Sequence, residues 1–359
     1  MKYFLFVVTS IITFVITFLG IWIIYYHVSL SAVSSKSEPV NFVVEEGNNY
    51  YSITNDLLKN KLIKSKYSYK IYLKLHKPSH IKAGVYQLDR NMNVEKIVKT
   101  LSGNIKHDLN TVSITFKEGK NMRYIIEQIA TNTNNSEEDV KETLKDQEYL
   151  KSIIKKYWFV DEEILNGNIY YSLEGYLSPN TYTFRKNVSV KEIFNVMLDQ
   201  MNKELEPYKN DMKNSSYTPH QLLTLASIIE LEGGTDISDR KGISGVFYNR
   251  LKDNWSLGSD VTTYYGAGVD LTERDLTTVE INNENAYNTR VSTMAGKLPI
   301  GPICNPSVVS IDAALHPDEH DYYYFISDKN GKTYFTKTDR EHIAKKNELI
   351  KAGLWYTYE

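Results

Sequence analysis

One glutamate in this chain, Glu230, stands in surroundings that suit proton transfer. It lies in the run TPHQLLTLASIIELEGG, residues 218–234. Thr218 is placed to cap that run, Pro219 fits the first helical position, and Gln221 completes a capping box. Gly233 and Gly234 end it. The interior is almost wholly apolar, which predicts a buried helix with Glu230 in its last turn between Ile229 and Leu231. Burial and the partial negative charge of a helix C-terminus both disfavour a carboxylate, as a proton donor near neutral pH requires. Glu232 follows two residues later, about 200° further around the helix, so the two carboxyl groups cannot share one cleft. The plainer alternative is a capping or salt-bridged glutamate at a helix end.

The residues downstream are polar and aromatic. GISGVFYNRL (242–251) is expected to be an amphipathic helix carrying Asn249 and Arg250. LGSDVTTYYG (257–266) is expected to be a polar, aromatic loop carrying Ser259, Asp260 and Tyr264. NAYNTRVSTMAGKLPIGPICNPS (285–307) is a long loop rich in Asn, Thr, Gly and Pro. Such loops are uncommon in compact domains unless they serve function. Hydroxyl and amide groups beside aromatic rings are the chemistry of a sugar cleft. Two other candidates are weaker. Cys304 is the single cysteine, so neither an intramolecular disulfide nor a cysteine zinc site can form, and no activating pattern adjoins it. His316 and His320, with Asp321, have helical metal spacing, but Pro317 breaks the register, so no metal site is expected.

The elements that must position these residues belong to a chain of 359 residues, long enough for two or three domains. Lys and Arg number 42 against 44 Asp and Glu, a net charge of −2, which offers no basic face for nucleic acid. Tyr3–Tyr26 is uncharged and apolar, and Trp22, Tyr25 and Tyr26 sit where an interfacial aromatic belt would lie. As a helix it would be roughly 36 Å long, enough to span a bilayer. Residues 1–27 are therefore expected to be a retained transmembrane anchor, with the remainder outside the cytoplasm; a cleavable signal peptide, with a shorter apolar region, is the rival. Residues 28–40 read as a tether. From Asn41 the pattern is strand, Gly turn, helix, helix, strand, helix, with Tyr51, Ile53, Leu57 and Leu58 expected on one buried face. ITFKEGKNMRYI (114–125) repeats the strand–Gly–helix theme of FVVEEGNNYYSI (42–53). Residues 131–169 read as polar and helical, 168–184 as a turn-rich aromatic stretch, and 190–208 and 308–315 as helices. YYYFISD and KTYFTK read as a hairpin turned at Lys329-Asn330-Gly331. The fold class is α+β.

Taken in order, ASIIE (226–230), GVFYNRL (245–251), LGSDVTTYYG (257–266), YNT (287–289), LPIGPICNP (298–306), AALHP (313–317), YYYF (322–325) and the F-x-x-T-x-x-E-H run of Phe335–His342 resemble the MltG (YceG-like) endolytic murein transglycosylases. LEGYLSPNTY (173–182) resembles an upstream motif of that family. The sequence departs from the family at Val261, Arg290, Ile300 and Thr333. The resemblance implies a LysM-like subdomain at 41–110 and a larger mixed α+β catalytic domain at 111–359. It places catalysis on Glu230 and substrate contacts on Asn249, Ser259, Asp260, Thr262, Tyr264, Tyr287, Asn288, Thr289, Pro302 and Asn305. The reaction implied cuts the MurNAc–GlcNAc bond within glycan strands, leaves 1,6-anhydroMurNAc ends and terminates nascent strands, with no cofactor or metal. The implied partners are peptidoglycan strands, the cell membrane through a single N-terminal span, and penicillin-binding proteins and other wall-synthesis enzymes. A hydrolytic muramidase using Asp260 as second carboxylate, and a non-catalytic wall-binding scaffold, are the alternatives.

Overall fold

The computed structural model describes residues 2–45, 47–103, 111–234 and 237–355. The chain divides into two compact units, Met1–Val112 and Ser113–Glu359. The expected domain boundary at residue 110 lies outside the described residues.

The first unit opens with helix α1 (Lys2–Leu30). Its segment Phe6–Leu30 contains a stretch of mean hydropathy 2.5 that is not buried; 25 residues span about 37 Å, enough to cross a bilayer. Strand β1 (Pro39–Val44), helices α2 (Thr54–Lys59) and α3 (Lys66–His76), strand β2 (Gly84–Asp89) and helix α4 (Val94–Ser102) follow in the expected order. β1 and β2 are antiparallel, with Phe42 opposite Tyr86. Their inward residues Phe42, Val44, Tyr86 and Leu88 are covered by Leu57, Leu73, Ile97 and Leu101. Helix α1 runs past residue 27 to Leu30, which packs on this core, and the Ser29 hydroxyl donates to Ser68 of α3 at 2.6 Å. The buried face of α2 is narrower than expected. Ile53 and Leu57 are buried, but Tyr51 and Leu58 are exposed. The helix starts only at Thr54, so Tyr51 precedes its first turn, and Leu58 is rotated about 100° from Leu57.

The second unit is mainly helical. Strand β3 (Thr111–Thr115) leads into α5 (Met122–Asn132), α6 (Glu137–Thr143) and α7 (Gln147–Lys156). Strand β4 (Thr181–Arg185) pairs with β3, and the hydroxyl contacts Ser113–Thr183 and Thr115–Thr181 run in opposite senses, so the pair is antiparallel. Thus the turn-rich stretch ends in a strand. Next come α8 (Val190–Leu205), a short helix α9 (Lys209–Asn214) absent from the sequence expectation, and α10 (Pro219–Glu232). The rest comprises α11 (Asp239–Lys252), α12 (Asp260–Ala267), α13 (Thr278–Ile281), α14 (Val308–Leu315), the hairpin of β5 (Tyr324–Ser327) and β6 (Thr333–Thr336), and α15 (Asp339–Lys351).

Helix α10 is the centre of this unit. Its capping box of Thr218 and Gln221 is formed, Pro219 opens it, and the Gly233 amide closes it on Ile229. Residues Leu222–Ile229 are buried on every face, and α9, α11, α12 and α14 pack around it. The segment expected to be a loop at 257–266 is mostly helix α12. Asp260 in its first turn suits the helix dipole, and Gly268 ends it in the left-handed region at φ 73°. The buried hydroxyls of Thr262 and Thr263 return to the Ser259 carbonyl, so a polar sequence is satisfied within a buried helix.

Candidate active site

Three helix ends meet at Glu230. It lies in the last turn of α10, Arg240 in the first turn of α11, and Ser307 caps α14. Glu230 Oε2 accepts from Arg240 Nη1 at 2.8 Å, from the Ser307 amide at 3.0 Å and from Ser307 Oγ at 2.6 Å. Among the described residues Oε1 has one longer contact, 3.3 Å from Arg240 Nη2. The side chains are 6% exposed for Glu230 and 11% for Arg240. Arg240 Nη1 also lies 2.7 Å from both Ser307 Oγ and Ser310 Oγ. Arg240 and the N-terminus of α14, neither of them foreseen, both face the Glu230 carboxyl.

A second segment reaches the same carboxyl. The loop after β3 carries Glu118 and Gly119. Gly119 has φ +69°, and a β-carbon there would lie 3.6 Å from Glu230 Cγ and 4.0 Å from Oε1. Oε1 is therefore the less engaged oxygen and the one turned toward this loop. Glu118 is exposed, yet partial desolvation and the charge of Glu230 hold its carboxyl above the ordinary range, against a smaller effect of Arg240. The loop is tied down by Asn305: the Gly119 amide donates to its carbonyl and its amide donates to the Lys120 carbonyl, both at 3.0 Å. The Asn305 side chain accepts from the Leu177 amide at 3.0 Å and contacts the Glu174 carboxyl at 3.4 Å. Glu174 is 1% exposed. It accepts from the Met122 amide at 2.9 Å and the Tyr265 hydroxyl at 3.0 Å. Burial outweighs these bonds and raises its pKa to about 7.

Beside the loop lies a cleft of about 350 Å³. Gly119, Lys120, Tyr124, Tyr264 and Asp270 line it, and Leu231, next to Glu230, contributes to the lining. A cleft that joins rings to hydroxyl, amide and charged groups fits a polyhydroxylated chain.

Ten residues were expected to touch substrate. Tyr264 lines the cleft. Asn305 ties down the Glu118–Gly119 loop, and Pro302 packs on Gly175, where a β-carbon would come within 2.3 Å of it. Ser259, Thr262, Asn288 and Thr289 form one buried network. Thr262 and Thr289 share a hydroxyl contact at 2.8 Å, and Thr263 bonds Asn288 at 2.9 Å. Ser259 Oγ donates to Glu232 at 2.5 Å, which places Glu232 on a different face of α10 from Glu230. Tyr287 is fully buried among Tyr170 and Tyr265. Asp260 pairs with Arg290. Asn249 is drawn to another site, where its amide donates to the carbonyls of His320 and Tyr322 at 2.9 Å.

Arg240, Ser307, Glu118 and Glu174 were missed. A signal existed for two of them: the Glu-Gly pair of the repeated motif, and the lone glutamate in LEGYLSPN. Cys304 is buried, and burial raises its thiol well above the ordinary range, so it is no nucleophile. His316 pairs with Asp312 and Asp211, whereas His320 bonds the Gly242 carbonyl. Among the described residues no group of three His, Cys, Asp or Glu is placed to hold a metal ion.

The sequence model of the YceG-like family matches residues 42–348. An endolytic murein transglycosylase of Bacillus subtilis (strain 168) is 36% identical over 87% of this chain and 85% of its own length. One of Streptococcus pneumoniae (serotype 2, strain D39) is 30% identical over 91% of this chain, which spans 61% of that protein. The crystal structure of a YceG-like protein from Listeria monocytogenes superposes with a TM-score of 0.61 at 32% identity, covering 86% of this chain and all of that one.

Proposed function

Because the chain belongs to the YceG-like family, we propose that it is a murein lytic transglycosylase that cuts within glycan strands, with Glu230 as its acid and base. The observation that carries this is the enclosed Glu230 carboxyl, seated through Oε2 by Arg240 and Ser307 with Oε1 turned toward the loop that walls the cleft. Relatives named as murein transglycosylases support the substrate.

In the proposed reaction Oε1 carries both proton transfers. Glu230 first gives a proton to O4 of the departing GlcNAc as the C1–O4 bond breaks. The resulting carboxylate then takes the proton of the MurNAc 6-hydroxyl as that oxygen bonds to C1, closing the 1,6-anhydro ring. Water is not consumed, and one carboxyl group serves both halves. Arg240 and the Ser307 donors hold Oε2 still, so the reacting oxygen stays oriented. Tyr264 and Tyr124 flank the sugar.

Helix α1 supplies the membrane anchor in this account, with the second unit outside the cytoplasm, where it acts on nascent strands beside the wall synthases. Its length and apolar surface support this. Fractionation tests it: recovery in the extracellular fraction with a new N-terminus near Ser34 would show a cleaved signal peptide instead.

One observation favours a second reading, hydrolysis. Glu118 brings a carboxyl into the electrostatic field of Glu230, and a muramidase needs a second carboxylate. The mass of the products separates the two. Digestion of purified glycan strands by the full-length protein is expected to give anhydro ends, lighter by one water than the reducing ends of hydrolysis.

A further inference from the structure

A second, larger cavity of about 600 Å³ lies in the same unit, and Arg123 lines both it and the cleft described above. Its charged lining residues are Arg123, Lys141 and Lys145, and it has no acidic one. Lys145 is exposed and makes no ion pair among the described residues. Lys141 pairs with Glu137 at 2.9 Å and Arg123 with Asp270 at 2.6 Å. These pairs are exposed or partly so, and such pairs yield readily to a competing anion. Tyr170 and Tyr171 complete the wall. Tyr171 lies within the fields of Arg123 and Lys141 and of the acidic Glu174 and Asp270, and its hydroxyl makes no hydrogen bond among the described residues. The cavity therefore joins three cations, an available hydroxyl and apolar surface from Leu165 and Ile169.

We propose that this cavity binds the stem peptide of murein, with Arg123, Lys141 and Lys145 receiving its carboxylates while the glycan occupies the adjoining cleft. The assignment rests on the murein reading of that cleft. A stem peptide hangs from the lactyl group of MurNAc and carries free carboxylates a few residues from the sugar. A basic, partly apolar cavity reached past a shared arginine matches that layout, whereas glycan without the peptide offers only the lactyl carboxylate on the sugar itself. Lys145 is a specificity residue here, remote from the reacting atoms.

The test measures kcat and KM of the full-length protein in detergent on strands bearing stem peptides and on strands stripped by an amidase. Both are first freed of phosphate-containing wall polymers. The wild type is expected to show a KM several-fold lower on peptide-bearing strands. In Lys145→Glu the ratio of the two KM values moves toward one while kcat on peptide-bearing strands is retained, and in Lys145→Arg the ratio stays at the wild-type value. An unchanged ratio in Lys145→Glu overturns the assignment, as does an equal rise of KM on both substrates. Discrimination seen only with strands that keep their phosphate polymers assigns the cavity to phosphate and also overturns it. If the wild type cleaves neither substrate, the murein reading itself fails, and this assignment with it.

Discussion

Arg240 is the residue whose removal the structure prices most clearly. Its guanidinium makes both contacts to Glu230 and reaches Ser307 and Ser310, and the pair is only 6% and 11% exposed. Arg240→Met keeps most of the packing but strands a carboxylate among buried groups. Breaking one side of a buried pair costs roughly 3–5 kcal/mol, and at this exposure solvent screening reduces it little. For a unit of this size that is a fall in Tm of roughly 6–20 °C. Glu230→Gln in the same chain removes the stranded charge, so the double variant is expected to lose less than the sum of the two, with a coupling of roughly 1–3 kcal/mol. Thermal and urea unfolding of the four proteins at neutral pH, followed by near-ultraviolet circular dichroism, measures the cycle. A loss below about 1 kcal/mol in Arg240→Met, or additivity within about 0.5 kcal/mol, would refute the claim that Arg240 balances Glu230.

Two further predictions concern the support behind the loop. Gly175→Ala places a β-carbon 2.3 Å from Pro302 at φ +82° and is expected to cost roughly 2–5 kcal/mol; Gly119→Ala, with contacts of 3.5 Å or more at φ +69°, costs about 1–2 kcal/mol. Urea midpoints compare them, and equal losses contradict the packing described. Glu174 has a folded pKa of about 7 against an ordinary 4.5, so the native state keeps a proton that the unfolded chain has released between those values. Its contribution to stability therefore falls as pH rises from about 4.5 to about 7, by roughly 3 kcal/mol in all, and then levels. Glu174→Gln should lose that part of the slope; superimposable pH–stability curves would show that Glu174 does not titrate in this window.

Legibility followed the range over which the information acts. Helix α10 declares itself locally, because Thr218, Pro219, Gln221 and Gly233 are capping chemistry and the residues between are apolar. The β5–β6 hairpin declares itself through Asn330-Gly331. Helix α12 does not, because Thr and Tyr are weak helix formers and the segment is helical through burial of Val261, Thr262, Thr263 and Tyr265. The surroundings of Glu230 are non-local. Ser307 and Glu118 come from segments 77 residues after it and more than 100 before it, and no spacing rule links them. Arg240 is only ten residues away, yet a helix boundary intervenes. Residues that the family resemblance gave as substrate contacts hold structural positions here: Asn305 positions a loop, Ser259 holds Glu232, and Asn249 braces backbone.

The central claim is that one carboxyl, Glu230, performs both proton transfers. It is tested most directly by digesting purified murein strands with the wild type, Glu230→Gln and Glu232→Gln, and reading products by mass. The account predicts anhydro-ended fragments from the wild type and from Glu232→Gln. It predicts a loss of roughly two to four orders of magnitude in Glu230→Gln, with near-ultraviolet circular dichroism unchanged. Near-wild-type cleavage by Glu230→Gln together with an inactive Glu232→Gln would contradict it and move the chemistry to the other face of α10.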